Sequence, residues 1–284
     1  MAVIVNSGVV SSGVILIWDS MIVNNGGVAN DTTISNGGGA VVSGGGVMND
    51  VLVNSYGALV VQANGKALQI TENGGYVEVA NGGKAFYVAN SFNGLVLESG
   101  AKATLHSGTT ANSTTIVNGW IGIYDRGLAN SLTISKGTVD INAGGSADLV
   151  FVGSYCNLNI NANAKATNIR ENGGWVSVDI DKGGSATYAA NSFSGLVLNG
   201  HSATLHSGTT ANSTTMNGGF IHIYSCGVAH TLTVSGGNVV VEGGGSADNV
   251  FVNSYCKLYL DGAGATVTKI TENGGYVGIG RAHV

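Results

Sequence analysis

The sequence predicts an all-β protein, a single right-handed parallel β-solenoid (parallel β-helix) of about 14 coils with about 18–20 residues in each coil. Three observations predict it: a short internal repeat, alternation of apolar and polar residues within that repeat, and a composition rich in strand and turn formers. The right hand follows from the general preference of parallel crossover connections. We expect one domain over residues 1–284.

The repeat has two scales. The phrase "LHSGTTANSTT" stands at residues 105–115 and again at residues 205–215. It belongs to a long repeat of roughly a hundred residues, whose copies start near residues 55, 154 and 254 with "SYG", "SYC" and "SYC". Within it lies the shorter unit, as in "GVANDTTISNGGGAVVSGG" and "GVMNDVLVNSYGALVVQAN". Repeats of this length indicate stacked units rather than an ordinary globular chain.

Each short unit contains two alternating segments separated by Asn, Gly and Ser. The second segment is the clearer one, as in Val77-x-Val79, Ile121-x-Ile123 and Leu258-x-Leu260. Alternation of this kind is typical of a strand with one buried face. Two such strands cannot bury a core alone, so the units have to stack and share one column of Val, Ile and Leu.

The composition fits this fold and excludes several functions. The chain has 47 Gly, no Pro and only 10% charged residues. Gly and Asn tolerate the left-handed backbone of tight corners, and Pro would remove a ladder donor from every coil. The net charge is −5, and basic residues occur singly, which excludes nucleic acid as a partner.

The three cysteines are predicted to be free thiols. Cys156 and Cys256 occupy the same "SYC" phrase one long repeat apart, so we expect a stacked fold to keep them apart. The sequence has no CxxC pattern and no Cys/His spacing typical of a metal site. We therefore expect no metal and no cofactor.

Candidate catalytic residues are few. Asp179 and Asp181 alternate in "VDIDK", and we interpret them as a solvated strand edge. His106 and His206 recur in "TLHSG" without a nucleophile, base and orienting group around them in the sequence, and we interpret them as corner residues. We expect no enzymatic activity. The alternative is a carbohydrate-active β-helix enzyme, which would need carboxylates brought into one groove by neighbouring coils.

The first strand of each unit gives an outward column of side chains. If Ile34 points inward, Thr33 points outward. The equivalent positions are predicted to be Leu52, Gln69, Tyr87, Thr115, Thr133, Phe151, Asn168, Tyr188, Thr215, Thr233, Phe251 and Lys269. Such a mixed column disfavours the flat Thr array of an ice-binding solenoid. Its aromatic members, Tyr87, Phe151, Tyr188 and Phe251, are a candidate contact face for a partner chain or a sugar ring, with ordinary strand covering as the alternative.

The repeat pattern resembles the AIDA-type repeats of bacterial autotransporter adhesins and their self-associating relatives. The phrases that carry the resemblance are "NDTTISNGGGAVVSGG", "NSTTIVNGWIGI", "NSLTISKGTVDINAGG" and "HTLTVSGGNVVVEGGG". The resemblance covers nearly the whole chain from about Ser7. It implies a parallel β-helix that is displayed outside a Gram-negative cell and mediates adhesion or aggregation.

The resemblance also implies sugar attachment by a partner glycosyltransferase. The candidate O-glycosylation positions are Ser113, Thr115, Ser131, Thr133, Ser213 and Thr215. The partners it implies are like copies of the chain or a host-surface glycan. Because the sequence shows neither a signal peptide nor a C-terminal barrel, membrane attachment is expected only through a barrel domain outside this sequence. A structural module that serves only as a glycosyltransferase substrate is a third alternative.

The ends of the sequence show no capping helix. The start, "MAVIVNSGVV", is apolar, and "GYVGIGRAHV" stops in the middle of the repeat pattern. Because exposed strand edges pair readily with other chains, we expect either a piece of a longer solenoid or association through the ends.

Overall fold

The computed structural model describes residues 2–280, which consist mainly of parallel strands joined by short turns. They form a β-solenoid of about 15 turns, which confirms the predicted fold and lies close to the predicted number of coils. The described residues contain no α-helix and one short 3-10 turn, Ile180–Lys182. No helix among them is long and apolar enough to span a membrane. Met1 and the last four residues of "GYVGIGRAHV" lie outside the described residues.

The strands fall into three segments, because no sheet continues from one segment into the next. The N-terminal segment contains the strands Ala2–Val5, Val10–Ser12, Ile15–Ile17, Ser20–Val23, Val28–Ser35, Gly39–Val42, Val47–Asn54, Ala58–Val61, Lys66–Asn73, Tyr76–Val79 and Lys84–Tyr87. The middle segment contains Asn90–Asn93, Val96–Leu97, Lys102–Leu105, Thr109–Asn112, Thr115–Ile123, Leu128–Ile141, Ser146–Val152, Cys156–Ile160, Lys165–Glu171, Trp175–Val178 and Ser185–Tyr188. The C-terminal segment contains Asn191–Ser194, Val197–Leu198, Ala203–Leu205, Thr209–Ile223, Val228–Glu242, Ser246–Asn253, Lys257–Asp261, Thr266–Asn273 and Tyr276–Ile279.

The ladder register gives the coil length directly. Ala2 pairs with Ser20, Ser20 with Gly39, and Lys165 with Ser185, which are steps of 18, 19 and 20 residues. Each strand therefore stacks on its equivalent one coil further along, as the short sequence repeat predicts.

The core follows the same three segments. Its members are the alternating apolar residues, and Ile34, Ile121, Ile123 and Leu258 are fully buried. These buried residues form three clusters, one in each segment. The boundary between two clusters is called a junction below: the first junction lies near Glu72 and the second near Glu171.

Many glycines stand where a side chain would strike the neighbouring coil. A Cβ atom on Gly38 would collide with the carbonyl oxygen of Leu16, and one on Gly127 would collide with that of Leu105. Corner flexibility therefore explains only part of the glycine content, because close stacking of the backbone at the corners also requires glycine.

Candidate functional site

The predicted outward column is correct in part. Thr33 pairs with Leu52, Thr133 with Phe151, and Thr233 with Phe251. Phe151 and Phe251 are 36% and 42% exposed, as expected for a contact face. Leu52, Phe151 and Phe251 occupy the same position in successive copies of the long repeat.

The column is wrong at Gln69, Asn168 and Lys269. These three residues are themselves the left-handed residues of their strands, with φ near 50° at each, and they align with Asp31 and Asp50 rather than with Thr33 and Leu52. The residues that continue the column are Thr71, Arg170 and Thr271, two positions further along. A left-handed non-glycine residue inside a strand resembles a bulge, and in the regular coils it recurs two positions before the outward residue, as at Asp31, Asp50 and Leu149.

Tyr87 and Tyr188 do not belong to the outward face, so this half of the predicted contact face is wrong. Each strand lacks the left-handed residue of the other coils, and the register shifts so that Tyr87 pairs with Ile70 and Tyr188 with Ile169, both of which are buried. A shift of one residue reverses the face to which a side chain points. Both tyrosine rings pack against the hydrophobic core.

The candidate O-glycosylation residues lie on the surface to different degrees. Ser113, Ser131 and Ser213 are exposed and adopt the left-handed conformation, whereas Thr115, Thr133 and Thr215 are half-buried within their ladders. The serines therefore project their hydroxyl groups more freely than the threonines.

A buried carboxylate stands at the first junction. Glu72 is fully buried and accepts hydrogen bonds from the hydroxyl groups of Thr104 at 2.7 Å and Thr109 at 3.1 Å. It also accepts one from the backbone N–H of His106 and one from Nδ1–H of the same residue, both at 2.7 Å. Four donors satisfy the carboxylate, which offsets the cost of removing it from water.

Side chains replace the missing ladder bonds at this junction. The Asn90 amide donates to the backbone carbonyl of Glu72 at 2.6 Å, and the hydroxyl of Thr104 accepts a bond from the backbone N–H of Val77 at 2.9 Å. The strands of the two segments are not paired here, so these backbone groups would otherwise be buried without partners. The polar cluster therefore joins the N-terminal segment to the middle segment.

The ring of His106 is held between two tyrosines. It stacks on Tyr87 at 4.5 Å and on Tyr124 at 4.6 Å between ring centroids, with the rings nearly parallel. Burial raises the pKa of Tyr87, and the nearby Glu72 charge raises it further. The Tyr87 hydroxyl therefore stays protonated and finds no hydrogen-bond partner among the described residues.

The second junction repeats the first. Glu171 accepts hydrogen bonds from Thr204 at 2.5 Å, from Thr209 at 3.1 Å, and from Nδ1–H of His206 at 2.8 Å. His206 lies between Tyr188 and Tyr224, with 4.3 Å between centroids on each side. The same hydrogen-bond network of glutamate, histidine and threonines therefore connects the segments at both junctions.

His106 and His206 are corner residues, as interpreted from the sequence, since each follows the last residue of a strand and precedes a turn. Each has a buried glutamate as its orienting partner, and sequence reasoning missed both glutamates because they lie 34 and 35 residues upstream. The signal was present: "TENGG" and "RENGG" recur with the same long period as "TLHSGTT". The imidazole faces are covered by tyrosines and the carboxylates have no exposed surface, so the arrangement serves to join segments.

The sequence suggested that Asp179 and Asp181 alternate on a strand, but the structure shows that they do not. Asp179 precedes the 3-10 turn that contains Asp181, and it forms an ion pair with Lys182 at 3.2 Å. Compared with "VEVANGG" at residues 77–83, the phrase "VSVDIDKGG" at residues 176–184 is two residues longer, and the added length forms this turn instead of extending the ladder. Among the described residues, no group of three or more His, Cys, Asp and Glu side chains is placed to hold a metal ion.

The three cysteines are free, as predicted: Cys156 and Cys256 are buried and Cys226 is exposed. Burial raises the pKa of Cys156 to about 11 and also raises that of Cys256. Because the thiolate is the reactive form, both buried thiols are protected by access and by protonation.

We expect one equivalent of thiol to react with a maleimide at pH 7.5 in the native protein, and three equivalents in denaturant. Changing Cys226 to Ser is expected to remove the native reaction, whereas changing Cys256 to Ser leaves it unchanged. Rapid native labelling of Cys156 or Cys256, detected by peptide mass, would contradict this assignment.

Comparison with known proteins gives little information. No protein-family model matches the chain, and no curated protein sequence is similar to it. Among solved structures, the chain is similar to the TibC-catalysed, hyper-glycosylated fragment of TibA, with 24% sequence identity and a TM-score of 0.35. The match covers 99% of this chain and 92% of the other chain.

Proposed function

We propose that the chain is an elongated, non-catalytic part of a bacterial surface adhesin, and that it acts by lateral contact between copies outside the cell. The observation that carries the proposal is an apolar residue that recurs at one outward position of the ladder, exposed at Phe151 and Phe251 and half-buried at Leu52. Phe151 and Phe251 occupy it in the middle and C-terminal segments, and Leu52 occupies it in the N-terminal segment.

A repeated contact suits association of rods. Successive positions are about five or six coils apart, which is roughly 25–30 Å at the usual spacing of strands. Two copies in register can therefore make the same small contact several times, and several weak contacts on one rigid body add to a useful affinity. The net charge of −5 over the whole chain allows copies to approach one another without strong repulsion.

The proposal includes surface display and sugar attachment. The resemblance to AIDA-type repeats supports both, and the exposed hydroxyls of Ser113, Ser131 and Ser213 are accessible to a glycosyltransferase. Sugars attached there would stand next to the half-buried threonines of the same ladders. An intact mass that exceeds the sequence mass by whole sugar units would support this part.

The proposal is tested by displaying the chain on a bacterium that does not aggregate and following the settling of the cells. We expect cells with the unchanged chain to settle faster than empty cells. The double change Phe151→Ser and Phe251→Ser is expected to remove most of this effect, because it deletes two of the repeated contacts.

The matched control is Phe86→Ser. Phe86 is 56% exposed, more than either Phe151 or Phe251, but it lies outside the repeated position. We expect it to leave settling unchanged. Equal loss in the control and the double variant would show general stickiness, and equal settling of the double variant and the unchanged chain would reject the contact face.

A further inference from the structure

An open groove of about 600 Å³ lies beside the first junction, between the N-terminal and middle segments. Three aromatic side chains line it: Trp18, which is 79% exposed, Tyr56, which is 46% exposed, and Tyr76. The middle segment contributes Ala101 and Lys102. Exposed aromatic faces of this kind, gathered around a concave surface, are typical of a binding site.

The backbone holds the two outer aromatic residues at the corners. Trp18 and Tyr56 adopt left-handed conformations, with φ of 56° and 61°. They stand two coils apart, and Gly37 lies between them in the stack. A Cβ atom on Gly37 would collide with the Trp18 ring, so glycine is needed for the ring to lie against the corner.

Lysine is the charged residue of the groove. The Lys102 ammonium lies 5.7 Å from the centroid of the Tyr76 ring, and no carboxylate is among the residues that line the groove. Outside the lining, Glu78 accepts a hydrogen bond from the Tyr76 hydroxyl at 3.0 Å. A ligand that reaches Lys102 therefore meets a positive charge at the end of an aromatic surface.

The middle segment offers an internal comparison. At the equivalent place Asn118 replaces Trp18, Lys136 replaces Gly37, and Tyr155 replaces Tyr56. There His201, which stands where the first copy has Ala101, packs its ring against Tyr155 at 4.4 Å between centroids. The second groove thus shows a ring seated against this tyrosine, and the first groove leaves the same surface open.

We propose that the groove formed by Trp18, Tyr56, Tyr76 and Lys102 binds one acidic sugar residue, a pyranose ring that carries a carboxylate. The apolar face of the sugar ring stacks on the aromatic side chains, and its carboxylate pairs with the Lys102 ammonium. Charge complementarity selects an acidic sugar over a neutral one, because Lys102 is the charged group that the ligand meets.

This inference deepens the proposed function, since it names the class of glycan to which such a surface protein would attach. It does not depend on association between copies. If the unchanged chain makes cells settle but does not bind the sugar, only the groove proposal is rejected. If it binds the sugar but does not make cells settle, only the lateral contact is rejected.

The test measures binding of trigalacturonate, with its methyl ester as a neutral probe of the same skeleton. Saturation-transfer NMR gives the contact, and tryptophan fluorescence follows the exposed Trp18. We expect the acid to bind with a Kd of about 1 mM and the ester to bind about tenfold more weakly. Absence of binding by the acid, or equal binding of acid and ester, would overturn the proposal.

Variants taken from the second copy locate the site. Ala101→His is expected to close the groove and weaken binding of the acid about tenfold or more. Lys102→Ser, which places the residue found at position 202, is expected to bring the acid down to the level of the ester. Trp18→Ser is a second test in case the buried Ala101 does not tolerate histidine. Because Trp18 is highly exposed, its replacement leaves the core intact, and it is expected to weaken binding of the acid.

Two controls complete the design. His201→Ala opens the second groove, which lacks the tryptophan, and is expected to leave binding unchanged. Competition with p-cresol tests whether the groove instead takes an aromatic side chain of a partner protein. Full displacement of the sugar by p-cresol at a much lower concentration, or unchanged sugar binding in Ala101→His and Trp18→Ser, would overturn the assignment.

Discussion

Changing Glu72 to Ala is expected to lower the free energy of unfolding by about 3–5 kcal/mol. The change removes the acceptor of four hydrogen bonds at a fully buried position. It leaves the Thr104 hydroxyl and the imidazole and backbone N–H groups of His106 without this acceptor, whereas the Thr109 hydroxyl keeps the Asn90 side-chain oxygen at 3.3 Å. Unpaired buried donors cost free energy in addition to the interaction lost. Urea unfolding measures the loss.

The chain supplies a matched control for this change. Glu272 stands in a third copy of the same "TENGG" phrase, but it is exposed. Glu272→Ala is expected to change the free energy of unfolding by less than about 0.5 kcal/mol. Glu171→Ala, at the second junction, is expected to behave like Glu72→Ala.

Hydrogen exchange locates the effect. In Glu72→Ala the amide of Val77, which donates to the Thr104 hydroxyl, is expected to exchange faster, because its acceptor belongs to the same network. Amides far along the rod keep their protection, since each coil contacts only its neighbours. A loss of less than about 1 kcal/mol would show that the junction does not depend on the buried carboxylate.

Replacing either of two adjacent glycines by alanine is expected to change the stability by very different amounts. Gly38→Ala should cost about 2–3 kcal/mol, because the new Cβ would meet the Leu16 carbonyl, with its carbon at 2.7 Å, and the Ser35 oxygen at 3.0 Å. Gly39→Ala places a Cβ atom 3.9 Å from the nearest oxygen, that of Ala58, and is expected to be nearly neutral. Thermal unfolding of the two variants gives the comparison.

Equal costs for the two alanine variants would contradict this account of the corners. The strain at Gly38 is in the backbone of the neighbouring coil and cannot be relieved by turning a side chain. A neutral Gly38→Ala would therefore mean that the coils can separate at this corner.

The period of the sequence was sufficient to predict the stacking. Ile34 is buried and Thr33 stands in the outward ladder, as alternation predicts, and coil steps of 18, 19 and 20 residues match the repeat. These features depend on contacts between equivalent residues of adjacent coils. A repeat reveals such contacts because each one recurs many times.

Positions that break the period could not be predicted in this way. The left-handed residue that the regular coils carry, as at Asp31, Asp50 and Gln69, is missing before Tyr87, and this omission moves the register there. The pairing of Glu72 with His106 was missed for a different reason: it crosses a junction where the ladder stops, so it occurs only once in each long repeat. The groove beside Trp18 likewise depends on single substitutions, such as Ala101 in place of His201.

Sedimentation velocity of the purified chain across a concentration series tests lateral association most directly. The account predicts an elongated monomer at low concentration and a dimer or larger species at high concentration. The double change Phe151→Ser and Phe251→Ser removes the larger species, and Phe86→Ser retains it. An elongated monomer at every concentration, or a larger species that the double change leaves in place, would contradict the proposed contact between copies.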